Sequence, residues 1–324
     1  MNLKIYFLLL FSLLMLNCLP DEKNWQEQRF PGIFVHNANI INSEYVIFAK
    51  DSTENIVVLK STDSESWQVI ETGYNGYIRY LNNRYIIDNW DSTLNQMVFK
   101  TSMDLTNWVT ITANTNTNFN LIAFDGANYV GFKNSSLMHS PDLVNWSEPI
   151  PGNLDINFAY ISYLDHQYYA FYNSDMNNYK IYYSPDAINW SEVNIFKGYA
   201  IWGMDFACNE LIFTGNDGAI FKKENGKWVN HSILFGPNFE GVARGRNEFV
   251  FIGNHYGQED PVLWSTSDFF IWKESKHSIT SKYHGFQDEY FATYFDILYT
   301  GDFYIVTANE CLNGECEGII LTAE

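Results

Sequence analysis

The 324-residue chain is 46% hydrophobic and 18% aromatic, enough for a large packed core and too apolar for a disordered chain. Its 19 Lys and Arg against 38 Asp and Glu give a formal charge of −19, which excludes a protein that tracks nucleic-acid phosphates. The 22 Tyr, 25 Phe and 10 Trp suit strands better than helices.

The first element is a leader. A short basic segment, Met1–Lys4, precedes the apolar run Ile5–Leu16. That run is too short to cross a bilayer, which takes about 20 residues, and it matches the apolar part of an export signal. Met15-Leu16-Asn17-Cys18 follows, with no small-x-small cleavage site. This resembles the lipobox of bacterial lipoproteins in the relaxed form found in spirochaetes, because Leu16 and Asn17 stand where smaller residues are usual. The resemblance implies a signal peptide over residues 1–17, lipidation of Cys18, and a short tether over residues 18–24. It places the protein in a bacterial cell envelope, exported and lipid-anchored to a membrane. A plain secreted protein cut elsewhere is the alternative. Removing the leader takes away Lys4 and no acid, so the charge becomes more negative still.

A repeat organises the remainder. Ser/Thr-x-Asp-x-x-x-Trp recurs with Asp63 and Trp67, Asp104 and Trp108, Asp142 and Trp146, Asp186 and Trp190, and Asp268 and Trp272. A degenerate copy runs from Lys222 through Glu224 to Trp228. Successive tryptophans are 41, 38, 44, 38 and 44 residues apart. Between them, segments such as Tyr77–Tyr80, Tyr85–Ile87, Met97–Lys100 and Trp108–Ile111 read as four short strands separated by Asn, Asp and Gly turns. Four strands in about 40–45 residues are the pattern of a propeller blade.

The ends of the chain fix the count. Gly318–Glu324 copies the strand that leads into each box and then stops. The missing piece stands at the other end, where Pro20-Asp21-Glu22-Lys23-Asn24-Trp25 copies Pro141-Asp142-Leu143-Val144-Asn145-Trp146. Pairing these ends closes the last blade and hides sheet edges. The expected fold is all-β, a seven-bladed β-propeller over residues 25–324, with six or eight blades if the closure is misread. Cys18 stands so near Trp25 that the tether reaches at most about 20 Å.

In each box the Ser/Thr hydroxyl and Asp carboxylate are suited to capping turn N–H groups, while Trp buries a large ring. Six copies cannot all be active sites, so their role is structural. The motif resembles the Asp-box, or BNR repeat, of sialidases and of many non-enzymatic bacterial propellers. It departs from the sialidase form in a loop one residue shorter and in Leu105, Leu143 or Ala187 at the Gly position. Gln28-Arg29-Phe30-Pro31 is similar to the Arg-Ile-Pro motif opening that family, whose three arginines grip a carboxylate. Only Arg29, Arg79, Arg84, Arg244 and Arg246 are present, and the family's second Arg and acid/base Asp find no clean match near Lys50, Asp51, Glu54 or Asn55. Tyr283, Tyr290 and Glu289 supply a nominal nucleophile pair, and seven scattered histidines point to no triad.

In propellers the first strand of each blade lines the central channel, where ligands bind. Candidate first strands here carry Arg79, Tyr160, Tyr163, Trp202, Asp205, Arg244, Tyr294 and Asp296, of which Arg79, Tyr160, Trp202, Asp205 and Arg244 form the candidate ligand site. The long Trp272–Phe291 stretch is a second candidate rim, stiffened by a possible Cys311–Cys316 disulfide; Cys208 reads as a buried thiol. No metal or cofactor is expected, and neither is a nucleic-acid partner. The expected function is a monomeric, non-catalytic protein- or glycan-binding or scaffold module, with a sialidase-like glycoside hydrolase as the alternative.

Overall fold

Short runs of buried apolar residues broken by Asn, Asp and Gly turns build strands, and no α-helix occurs among the described residues. The computed structural model describes residues 23–324 except 134–135, 155–159, 165, 174–178, 194–200, 208–209, 256–260, 276–289 and 314. The expected leader and lipidation site, residues 1–18, and Cys208 therefore lie outside the described residues.

In chain order the strands are β1 (Gln26–Pro31), β2 (Ile33–Ile41), β3 (Glu44–Asp51), β4 (Asn55–Ser61), β5 (Gln68–Asn75), β6 (Tyr77–Leu81), β7 (Arg84–Asp91), β8 (Gln96–Ser102) and β9 (Val109–Thr112). Next come β10 (Asn120–Phe124), β11 (Tyr129–Lys133), β12 (Ser136–Ser140), β13 (Ile150–Pro151), β14 (Tyr160–Leu164), β15 (Gln167–Asn173), β16 (Tyr179–Ser184) and β17 (Ser191–Val193). The last are β18 (Ile201–Ala207), β19 (Glu210–Gly215), β20 (Ile220–Glu224), β21 (Lys227–Asn230), β22 (Asn238–Arg244), β23 (Phe249–Asn254), β24 (Pro261–Thr266), β25 (Lys273–Ser275), β26 (Tyr290–Tyr299), β27 (Tyr304–Leu312) and β28 (Glu315–Ala323).

From β2 onward each successive four form one sheet in sequence order, and the seventh sheet runs β1-β28-β27-β26. The protein is an all-β, seven-bladed propeller. The first strand of the chain and its last close one blade, in antiparallel register from Gln26↔Thr322 to Pro31↔Glu317. In the same sheet Cys311 and Cys316 stand opposite each other across the β27–β28 hairpin and are joined as a disulfide.

Contacts divide the chain into two compact units. One holds the described residues up to Pro31, then Val35–Asn39 and Trp202–Glu324; the other holds Gly32–Phe34 and Ile40–Ile201. In the second unit a core cluster joins Phe99 of β8 to Phe119, Leu121 and Trp146 around the next sheet. The Trp146 ring stacks on Phe99 at 5.9 Å and contacts Phe119 at 4.3 Å, so a box tryptophan packs one blade on its neighbour. In the first unit, Trp25, Tyr294, Tyr304 and the apolar face of β28 form the core of the closing blade.

The repeated turns are built alike. In the first, the Ser64 N–H donates to Ser61 Oγ at 2.8 Å, and the Glu65 and Ser66 N–H groups donate to Asp63 Oδ1 at 2.9 and 2.8 Å. The Trp67 indole N–H closes the turn on the Ser64 carbonyl at 3.1 Å. Trp108, Trp146, Trp190 and Trp272 make the same bond to Leu105, Leu143, Ala187 and Phe269. The expected sixth copy is different: Asn225 and Gly226, with φ of 50° and 76°, make a two-residue hairpin between β20 and β21. Glu224 there turns to Lys222 and His231 instead of capping a turn. An Asn-Gly pair suits that tight reversal and leaves no loop for a box to fill.

The residue after the turn aspartate adopts left-handed φ, 67° at Leu105 and Leu143 and 58° at Ala187, a conformation that costs a side-chain-bearing residue about 1 kcal/mol or more. Burial offsets it, since Leu105, Leu143 and Ala187 are all buried. Leu143→Gly should therefore destabilise by about 2–4 kcal/mol, whereas Ala187→Gly should lie within about 1 kcal/mol of zero, because little apolar surface is lost as strain is relieved. Urea denaturation of the two variants checks this, and equal losses would refute it.

Candidate functional site

Five residues stood out as ligand-binding candidates. The structure puts Arg79 in β6, Tyr160 at the start of β14, Trp202 and Asp205 in β18, and Arg244 at the end of β22, so each lies on the first strand of a sheet. Arg79 and Tyr160 belong to one unit, and Trp202, Asp205 and Arg244 to the other. Tyr283, Glu289 and most of the long Trp272–Phe291 stretch lie outside the described residues.

Arg29, Arg79 and Arg244, the three arginines a carboxylate clamp would need, each already have a carboxylate of their own. Arg29 lies on β1, a fourth strand, and its Nη1 donates to Glu310 at 2.5 Å and to Glu317 at 2.9 Å, while its Nε reaches Glu27. Burial works against its charge, yet the bonds it donates to Glu310 and Glu317 and the field of Glu27 hold its pKa above the usual range. Arg79 pairs with Asp88, a buried carboxylate pushed upward by desolvation although Arg79 opposes the shift. Arg244 pairs with Glu210 and lies 4.9 Å from the centre of the Phe249 ring. Glu210 also meets Lys222 at 3.1 Å.

Asp205 Oδ2 accepts the Val242 N–H of the next first strand at 2.9 Å. Asp296 in β26 does the same one blade on, accepting the Ala38 N–H of β2 at 2.8 Å, and its Oδ1 takes the Ile297 N–H at 2.9 Å. These carboxylates stitch first strand to first strand. Both are deeply surrounded yet keep a partly exposed surface. Desolvation, and then the charge of Asp296, pushes the Asp205 carboxyl up to about 8. Asp296 rises to about 6 by desolvation, against the N–H groups of Ala38 and Ile297.

A third acid was not legible in the sequence. Glu240 sits at a bulge in β22, where the register to β23 slips between Phe239 and Gly241. Burial raises its pKa while Thr293 and Asn254 bond to it, the latter at 3.0 Å. The one sequence signal was the glycine that follows it, since Gly inside a strand often marks a bulge. Among the described residues no group of three or more His, Cys, Asp or Glu is placed to hold a metal ion.

No family model matches the chain, and no curated protein matches it in sequence. Among solved structures it is similar to the WD40 domain of Neurospora crassa Pan2, with a TM-score of 0.63 at 6% identity over 94% of this chain and 97% of that one. The likeness is one of fold. The β-propeller domain of the Trilobed protease from Pyrococcus furiosus aligns with a TM-score of 0.52 at 8% identity, over 90% of this chain and 95% of that one. A Trypanosoma rangeli sialidase in complex with sialic acid aligns with a TM-score of 0.47 at 10% identity, over 90% of this chain and 54% of that one. At their identities the first two likenesses show the propeller fold alone, and chemistry must be argued from the side chains.

Proposed function

We propose that the protein is an exported lipoprotein, acylated at Cys18, whose propeller is a non-catalytic protein- or glycan-binding or scaffold module of a bacterial envelope. The observation that carries this reading is the commitment of the arginines. A substrate carboxylate needs guanidinium forks directed at it, and here Arg29, Arg79 and Arg244 are spent on Glu310 and Glu317, on Asp88 and on Glu210. We read the five turns as Asp-box repeats in their structural use, because their Asp oxygens cap backbone N–H groups. What is left is a rigid, acidic scaffold, suited to holding a partner.

The anchor reading gains from Lys23, whose Nζ contacts Glu248 at 2.6 Å and the Glu324 carbonyl at 2.9 Å. With Lys23 pinned, the five residues back to Cys18 span at most about 18 Å, so an acylated Cys18 would hold the propeller against the bilayer. In cells, Cys18→Ala should move the protein from the membrane fraction to the soluble fraction. Unchanged membrane fractionation would refute the anchor. A fluorogenic sialoside should be left uncleaved by the wild-type protein; turnover abolished by Arg79→Ala would favour the hydrolase instead.

A further inference from the structure

In a repeat protein, a segment that departs from the repeat serves something besides the fold. β5 departs from it. The fourth strands that end within described residues, β9, β13, β21 and β1, have 4, 2, 4 and 6 residues, and β5 has eight. Its pairing with β4 jumps from Val57↔Glu71 to Asn55↔Asn75, so residues 72–74 bulge outward opposite Ile56. Thr72 pins the bulge: its Oγ1 donates to the Ile56 carbonyl at 2.9 Å and accepts the Tyr74 N–H at 3.2 Å. Gly76 then turns the chain at φ 121°, where any Cβ would sit 2.8 Å from the Asp88 carbonyl. Bulges of this kind re-aim side chains and gather at binding sites.

The outcome is a groove of about 460 Å³ between the end of β5 and the face of β7, β8 and β9, a volume within the range of small-ligand sites. Register sets its floor, with one row crossing the sheet as Ile87, Lys100 and Thr110 and a second as Asn89, Val98 and Thr112. Tyr74 and Asn75 form the wall, and the amides of Asn75 and Asn89 face each other at 3.5 Å. Asp91 lies beyond them, its Oδ1 taking the Thr93 and Leu94 N–H groups at 2.8 and 3.0 Å. Lys100 donates to Thr110 Oγ1 at 2.7 Å and lies 5.1 Å from the Tyr74 ring centre.

We propose that this groove binds a neutral saccharide. Two amides, a carboxylate and threonine hydroxyls offer the mixed donors and acceptors that vicinal sugar hydroxyls require, while the half-buried Val98 and Tyr74 offer an apolar surface to the C–H face of a pyranose ring. Lys100 and Asp91 offset each other within the groove, and the chain's charge of −19 repels an acidic sugar. The proposal rests on the reading of the protein as a binding module and gives that module a ligand class and a site.

The test is saturation-transfer NMR on the full chain with cellobiose, maltose, lactose and chitobiose, and with 3′-sialyllactose as an acidic control. At least one neutral disaccharide should receive transfer at about 5 mM, and Asn89→Ala and Thr112→Ala should each weaken it about tenfold, the effect of losing one matched hydrogen bond. Asn89 and Thr112 are exposed, and an unchanged melting temperature shows that each variant still folds. No transfer from any of the four, transfer from sialyllactose alone, or binding indifferent to both substitutions would overturn the proposal. None of these results alters membrane fractionation or capture of a protein partner, so the wider reading fails or stands separately.

Discussion

Arg29→Ala should destabilise the protein by about 3–5 kcal/mol, the cost of breaking a buried ion pair and leaving its partners charged. Glu310 has no exposed side-chain surface and that of Glu317 is 8% exposed, yet both carboxylates converge on one guanidinium. Without it, two buried negative charges face each other beside Glu27. Adding Glu310→Gln to Arg29→Ala should recover much of the loss, because the amide keeps the shape and removes one charge. Arg29→Lys should recover little, since an ammonium is a point charge and cannot reproduce the fork. Denaturant midpoints of the four proteins decide the matter. A loss under about 1 kcal/mol for Arg29→Ala would mean that water relieves the carboxylates, and the closing blade would need another explanation.

The second large effect is on pH. Asp205 and Asp296 hold their protons up to about 8 and about 6 in the folded state, whereas the unfolded chain releases them near the ordinary aspartate value. Between about 4 and 8 the folded state thus binds more protons than the unfolded one, and stability must fall as pH rises through that window. The fall should amount to a few kcal/mol at most, because both groups keep some contact with solvent. Below that window the box aspartates act in the opposite sense. Backbone N–H groups and Asn145 hold Asp142 down at about 2, and Asn107 and the neighbouring N–H groups hold Asp104 lower still, so their contribution is lost on acidification. Maximal stability should lie near pH 4–5. Asp205→Asn should flatten the slope above pH 5 while still accepting the Val242 N–H; an unaltered slope would show that Asp205 is not its source.

The box tryptophans made the architecture legible in the sequence. Their spacing gave the blade count, and the match between Pro20–Trp25 and Pro141–Trp146 gave the closure that β1 and β28 display. The misread copy at Lys222–Trp228 had the spacing without the hydroxyl, and Asn225-Gly226 carried the better local signal. The functional surface was much less legible. Arg29 matched a family motif by its neighbours in sequence, but its partners Glu310 and Glu317 lie almost 300 residues away, and only the fold brings them together. Asp205 was picked out by its strand, yet which N–H it would meet depends on how the next blade packs. The groove was not seen at all. The bulge at residues 72–74 leaves no mark in the sequence beyond Gly73 and Gly76.

The closing blade sets the order in which the protein can be finished. β1 leaves the ribosome first and pairs with the strand made last, so its row of N–H and C=O groups waits through the synthesis of the whole chain. Every other sheet is assembled from neighbours and can form as soon as its own 40 or so residues are available. The chain that separates Gln26 from Thr322 is nearly as long as the protein, although the entropy of closing a flexible loop grows only slowly with its length. A chain stalled or cut short before β28 would retain well-formed interior blades together with two unsatisfied edges, the template on which chains pair with one another. Arrival of β28, more than the stability of any one blade, separates the closed propeller from a chain with two open edges.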